Sequence, residues 1–288
     1  VINADMNTNQ RSSSSSALVE AAWVAAHVGD PDVRLVEVDW DGTKAYEQGH
    51  IPGALGWHWK TMLWDPLRRE FPDPETMAAR LGAAGIGNDT TVVVYGEPLQ
   101  FGTYGWWVLR YCGHRDVRLL DGGRTRWTRE GRPLTTEVPA VARKRYTPTN
   151  PDPSMRILRD EVLPLLGDPG TVLFDVRSPE EYRGERVAPP GRADDGAERA
   201  GRIPGAVHLH FLDLLRDDGT FKAPEEMLRL CEARGVTPDK QVIVYCRLSH
   251  RASLACFALT ELLRYPRVRT YDGSWTEWGS VVGVPIER

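Results

Sequence analysis

Short apolar runs alternate along the chain with segments whose apolar residues recur at helical spacing. Val172 to Val176 and Gln241 to Tyr245 are too short for helices and rich in β-branched and aromatic residues, so each predicts a buried strand. Arg267 to Tyr271 predicts another. Pro179 to Tyr182 opens a helix behind Ser178, a hydroxyl residue suited to cap it. Pro224 to Ala233 and Ala252 to Leu263 carry helical spacing, and Ser274 to Gly279 predicts a short helix. Strand alternating with helix predicts the α/β class, with a mainly parallel central sheet flanked by helices on both faces.

The pattern occurs twice. Leu35-Val36-Glu37-Val38-Asp39 matches Leu173-Phe174-Asp175-Val176-Arg177, and Gly49-His50-Ile51-Pro52-Gly53-Ala54 matches Gly201-Arg202-Ile203-Pro204-Gly205-Ala206. Val92 to Tyr95 matches Val242 to Tyr245, and Asp121-Gly122 followed by Trp127 matches Asp272-Gly273 followed by Trp278. Order is kept at an offset of roughly 150 residues, far longer than a solenoid period. The chain therefore divides into a tail over 1–16, a first copy over 17–134, a linker over 135–154 and a second copy over 155–288. Pro139, Pro148, Pro151 and Pro153 predict a semi-rigid linker. Arg186 to Arg199, an insert rich in Pro, Gly and Asp, predicts a surface loop.

At 288 residues, two domains are expected. A content of 41% hydrophobic and 26% charged residues excludes a chain disordered throughout, a collagen-like repeat and a disulfide mini-protein. Lys and Arg total 36 against 40 Asp and Glu, so bulk charge suggests no nucleic-acid partner. No apolar stretch approaches the length of a membrane span. Val1 to Ser16 has no signal-peptide core and reads as a disordered tail with a serine run, Met6 being a candidate start; cytoplasm is the expected location. The four cysteines match no zinc spacing, so no metal is expected, and disulfides are not expected either. Cys112, Cys231 and Cys256 fall in apolar helical patterns, as buried packing cysteines do.

Cys246 differs. It ends a buried strand and is followed by Arg247-Leu248-Ser249-His250-Arg251-Ala252, where a helix begins. In an α/β sheet, ligands bind beyond the carboxyl ends of strands. A loop here can turn several N–H groups toward one atom, the next helix adds partial positive charge, and Arg247 and Arg251 add full charges. A free thiol titrates near about 8.5, and these effects are expected to lower that of Cys246 until the thiolate predominates at neutral pH. The plainer alternative is a buried cysteine beside two solvated arginines. Cysteine-dependent phosphatases place five residues between cysteine and arginine; here Arg251 comes one residue earlier. The shorter loop suits a single sulfur atom better than a whole phosphate. In the first copy, Gly96 stands where Cys246 stands in the second, so no nucleophile is expected there.

These motifs together resemble a tandem-domain rhodanese, a thiosulfate sulfurtransferase of bacterial type. The resemblance rests on the Gly-x-Ile-Pro-Gly-Ala box in both halves, the cysteine loop, and Tyr271-Asp272-Gly273-Ser274-Trp275-Thr276-Glu277-Trp278. It implies two rhodanese-like domains with only the second catalytic, no cofactor, and a ping-pong reaction. Cys246 would take the outer sulfur of thiosulfate as a persulfide and release sulfite. A thiophilic acceptor, cyanide or a thiol, with a thiol protein among the candidates, would then remove the sulfur. Arg247, Leu248, Ser249, His250, Arg251 and Ala252 would bind the substrate, their N–H groups forming an anion cradle. Arg247 and Arg251 would hold the sulfonate, unless Arg251 pairs with a carboxylate at the helix start.

Ser249 and His250 depart from the Gly and Glu of the bacterial loop; a positive φ at Ser249 would be strained, and a loop histidine is most simply an exposed one. Glu181 stands where the pattern of the vertebrate-type rhodaneses and mercaptopyruvate sulfurtransferases has a substrate-holding arginine, which counts against mercaptopyruvate as donor. Arg177 reads as a structural ion-pairing residue and Asp272 as the residue that orients its turn. Trp40 and Trp275 are candidate pocket walls, with plain packing the alternative. The competing functions are a mercaptopyruvate sulfurtransferase, a persulfide carrier that docks another protein, and a cysteine phosphatase.

Overall fold

The structure is a computed structural model, and it describes residues 17–189 and 196–288. The predicted tail over 1–16 lies outside them, as does the middle of the 186–199 insert. Among the described residues ten strands form two sheets of five. The first holds β1 (Leu18–Val19), β2 (Val33–Asp39), β3 (Leu55–His58), β4 (Thr91–Glu97) and β5 (Val117–Leu120), in the order β1-β5-β4-β2-β3. The second holds β6 (Arg156–Ile157), β7 (Thr171–Asp175), β8 (Val207–His208), β9 (Gln241–Tyr245) and β10 (Val268–Tyr271), in the order β6-β10-β9-β7-β8. Every pairing is parallel and the two orders are identical, as expected of a duplicated α/β domain. The predicted strands and helices of the second half are present within a few residues, except that the helix after Cys246 starts earlier, at His250, and turns to π geometry over Ala258–Leu262.

The central strands β4 and β9 are buried on both faces, which is why their sequences run apolar without alternation. Register fixes the correspondence between the halves. Glu37 lies beside Tyr95 and Asp175 beside Tyr245, so Gly96 and Cys246 are equivalent positions. Each tyrosine accepts a hydrogen bond from the Ile-Pro box of its own half, at 3.2 Å from Ile51 N and at 3.2 Å from Ile203 N. Each box tethers one sheet face in the same way. The buried carboxylate differs: Glu37 pairs with Arg124 from the helix Gly123–Arg129, whereas Asp175 pairs with Arg177, two residues further on and just past the end of its own strand.

The linker is a strap rather than a free spacer. It carries no helix or strand between Thr135 and Asp152, yet Lys144 N donates to Gly82 O, Thr147 N to Asn88 Oδ1, and Asp152 N to Tyr111 O. Tyr146 is buried against His114. These bonds hold it along the first domain, because a segment without helix or sheet must find acceptors for its N–H groups elsewhere. The ends of the 186–199 insert are likewise anchored: Arg199 donates to the carbonyls of Trp278, Gly279, Val281 and Val284, and Ala188 is buried.

The two halves join through the helices Leu99–Tyr111 and His250–Phe257, which follow the equivalent strands β4 and β9. Thr103 and Ser253 share a buried hydrogen bond of 3.0 Å, and Trp106 packs edge-on to Phe257 at 4.9 Å. Among the described residues no helix is long and apolar enough to cross a membrane.

Gly96 shows why the first half has no counterpart of the cysteine loop. A Cβ there would lie 2.7 Å from Val38 O and overlap the backbone nitrogen of Gly102. The helix Leu99–Tyr111 is packed directly on the strand end. Gly96→Ala should therefore cost about 1–3 kcal/mol or more through overpacking, read as a lowered thermal midpoint. A midpoint equal to wild type would mean that the helix moves aside freely.

Candidate active site

β7 and β9 are neighbours, but β8 follows β7 on one side while β9 returns on the other. This is the switch point of the second sheet, where a crevice opens beyond the strand ends. Cys246 is the first residue past β9 and is 1% exposed. The segment after β10 holds its backbone from behind. Cys246 N–H donates to Ser274 Oγ at 3.3 Å, Trp275 N–H to Cys246 O at 2.9 Å, and Thr276 donates to Arg247 O from N at 3.0 Å and from Oγ1 at 2.6 Å. Ser274 and Thr276 were not singled out from sequence. Their signal is two hydroxyl residues interleaved with the tryptophans of the Tyr271–Trp278 motif.

The loop then turns sharply. Ser249 adopts φ +68°, the left-handed conformation that strains a non-glycine residue, and its hydroxyl donates to Asp272 O at 2.7 Å and Oδ1 at 3.2 Å. Ser253 N–H returns to Ser249 O and His250 N–H to Leu248 O. Among the described residues, the N–H groups of Arg247, Leu248, Ser249, Arg251 and Ala252 are bonded to no protein acceptor. This row of open donors, at the start of an eight-residue helix, favours an anion.

A cavity of about 320 Å³ opens over the cysteine. Arg247, Leu248, His250 and Arg251 line it from the loop, with Pro189 from the insert. Trp40, Trp59, Pro98, Gln100 and Phe101 line it from the first domain. The site thus lies between the halves, and the first domain supplies its aromatic wall. Trp40, 39% exposed, is part of that wall. Trp275 is not. Its ring is wholly buried beneath the Arg177 guanidinium, 4.5 Å away, and its Nε1 donates to Arg199 O. Ser249 and Ala252 have no exposed surface, so neither side chain is available to a ligand.

The two loop arginines differ. Arg251 forms a bidentate pair with Glu181, at 2.6 and 2.9 Å, so the carboxylate alternative for this residue is the one realised. Burial acts to raise the Glu181 carboxyl, but Arg251 outweighs it and holds the group below the usual range. Arg247 has no ion pair among the described residues, and its Nε is buried without a partner. Arg177 is a buried structural residue, bonded to Asp175 and to Gly201 O of the Ile-Pro box.

His250 is not an exposed loop residue. It is buried among Trp59, Phe101 and Tyr104, with ring centroids 4.3–4.4 Å away, because the first domain covers this side of the loop. Burial first, then Arg69, Arg247 and Arg251, push its pKa well below the ordinary value. The other three cysteines are pushed up to about 12 by burial, which leaves them as thiols.

A model of the Rhodanese-like domain matches residues 20–130 and again 158–280. The chain belongs to the rhodanese-like family. A relative from Thermus thermophilus, the sulfur carrier protein TtuD, is 48% identical over 275 residues, 94% of this chain and 96% of its own. A Haloferax volcanii protein, named provisionally as a thiosulfate sulfurtransferase, is 44% identical, again over 94% of this rhodanese-like chain and 96% of its own. Among solved structures, the anaerobic ergothioneine biosynthesis enzyme of Chlorobium limicola, in complex with trimethyl histidine, superposes with a TM-score of 0.84 at 27% identity, covering 96% of this chain and 71% of that one. Sulfur transfer is the activity this rhodanese-like family membership supports.

A neutral imidazole in the native protein fixes the sign of one pH effect. Below about pH 6.5 the unfolded chain takes up a proton on His250 that the folded chain does not, so stability falls as pH drops from there. In His250→Phe the decline in stability between pH 6.5 and 5 should be shallower than in wild type, measured by urea denaturation. Identical slopes would mean the ring is not held neutral.

Proposed function

We propose that the protein moves the sulfane sulfur of thiosulfate to a thiophilic acceptor through a persulfide on Cys246. The observation that carries this reading is a cysteine at the switch point, followed by a loop in which five N–H groups have no acceptor and Arg247 no ion pair among the described residues. In the first half-reaction the Cys246 thiolate attacks the outer sulfur of thiosulfate. The S–S bond of the donor breaks, its electron pair leaves with sulfite, and Cys246 carries one added sulfur. In the second, the acceptor's nucleophile attacks that sulfur and the thiolate returns. No external oxidant or reductant is needed.

Each half-reaction keeps negative charge close to the loop, which open N–H donors stabilise without a general base. Arg247 is suited to the sulfonate end. Arg251, neutralised by Glu181, acts through its amide and by shaping the loop. The same pair counts against mercaptopyruvate, since a carboxylate occupies the neighbourhood where a carboxylate substrate would need a cation. The aromatic wall of Trp40, Trp59 and Phe101 excludes water from the added sulfur and slows its loss.

A second reading, a carrier that hands the sulfur to another protein's thiol, is favoured by the 48% identity to a sulfur carrier protein. Both readings pass through the same persulfide and separate at the acceptor.

Incubation with thiosulfate should add the mass of one sulfur to the intact protein, cyanide should remove it as thiocyanate, and Cys246→Ser should gain nothing. No gain in the wild-type protein would sink the thiosulfate reading. A stable gain that cyanide and small thiols discharge only slowly would select the carrier reading.

A buried pair broken on one side leaves a charge without compensation. Glu181→Gln should destabilise the protein by about 3 kcal/mol, seen as a lower urea midpoint. An unchanged midpoint would mean that Arg251 finds another partner.

A further inference from the structure

We infer that Arg69, a first-domain residue that does not line the cleft, is a positioning residue for the cysteine loop. The inference rests on the sulfur-transfer reading of that loop. Its basis is a chain of contacts across the domain interface. Asp272 is 1% exposed and receives two guanidinium groups, Arg69 at 3.1 Å and Arg156 at 2.7 Å. Arg69 also donates to Asp272 O at 3.1 Å. The carbonyl and carboxylate oxygens that bind Arg69 belong to the residue that anchors the Ser249 hydroxyl.

Ser249 is where the loop is least content with its own backbone. Its φ of +68° is one that glycine adopts freely and serine does not. Two hydrogen bonds to Asp272 hold it there. Asp272 in turn is fixed in a buried setting by the two arginines that pair with it. Arg156 comes from the second domain but also pairs with Glu70 of the first. Arg69 is itself seated over the Trp64 ring, 4.7 Å away. The first domain therefore reaches the loop by two routes: an aromatic wall that a ligand would touch, and an electrostatic hold that it would not. Removing the hold would let Ser249 relax toward negative φ. The open N–H groups on either side would then change direction relative to Cys246.

The test follows sulfur loading on Cys246 from thiosulfate by intact mass over time, across thiosulfate concentrations. Arg69→Gln should lower the saturated loading rate by about tenfold or more, with the half-saturating concentration changed by less than about twofold. Arg69→Lys should restore part of the rate. In a Ser249→Gly background, where the backbone needs no anchor, Arg69→Gln should change the rate by less than about twofold. A merely structural role would reduce loading equally in both backgrounds, and that result overturns the inference. A Ser249→Gly protein too slow to load also overturns it, because the hydroxyl would then do more than hold a conformation. If the wild-type protein itself fails to load, the sulfur-transfer reading is what falls. Amide hydrogen exchange across 246–252 in the wild type, Arg69→Gln, Ser249→Gly and the double variant then decides the positioning role: faster exchange on Arg69→Gln only where Ser249 is present supports it, and equal change in both backgrounds overturns it.

Discussion

The loop after β9 has no regular structure of its own, so its shape depends on what binds its carbonyls and hydroxyls from outside. The segment after β10 does this. Trp275 N–H and Thr276 N–H take the carbonyls of Cys246 and Arg247, while Ser274 Oγ takes the Cys246 amide. Because β9 and β10 are adjacent parallel strands, their carboxyl ends emerge side by side, and the two loops meet without a long connection. The carbonyls face back into the protein as a result. Among the described residues, the amides of Arg247, Leu248, Ser249, Arg251 and Ala252 are left without partners, a costly arrangement in a closed core and a useful one at the mouth of a cleft.

Duplication explains how one such site arises from two similar domains. Both halves keep the tyrosine bonded to the Ile-Pro box and the central buried strand. They part at the strand end. In the first half Gly96 lets the helix Leu99–Tyr111 close directly onto the sheet, which removes the space a loop would need. The same helix turns its far side toward the second domain, where Phe101 and Tyr104 pack on His250. What the first half gives up as a site it gains as a wall and a clamp.

Charge around the cleft is more limited than the arginines in and near it suggest. Arg251 is paired with Glu181, Arg177 with Asp175, and Arg69 and Arg156 with Asp272. Arg247 alone among these has no carboxylate partner among the described residues. His250, held neutral by burial and by three neighbouring arginines, adds none. Backbone dipoles therefore carry a large share of any anion binding, and they do so without titrating.

Much was legible along the chain because it depends on local pattern. Apolar runs such as Val242 to Tyr245 mark central strands whatever surrounds them, and recurrence of whole motifs exposes the duplication. The Gly96–Cys246 contrast and the candidacy of Cys246 follow from that alignment. Other features were illegible because they join residues far apart in sequence. Nothing near Arg69 announces that it meets Asp272, and nothing near His250 announces that Trp59 and Tyr104 will enclose it. Trp275 looked like a cleft residue from its motif, yet the packing of Arg177 over its ring turned it into core. Local sequence determined the elements, the repeat and the identity of the nucleophile candidate, since propensity and periodicity act over a few residues. Tertiary structure decided which charges remain unpaired and what shape the loop takes, since burial and ion pairing are set by whatever the other domain brings into contact.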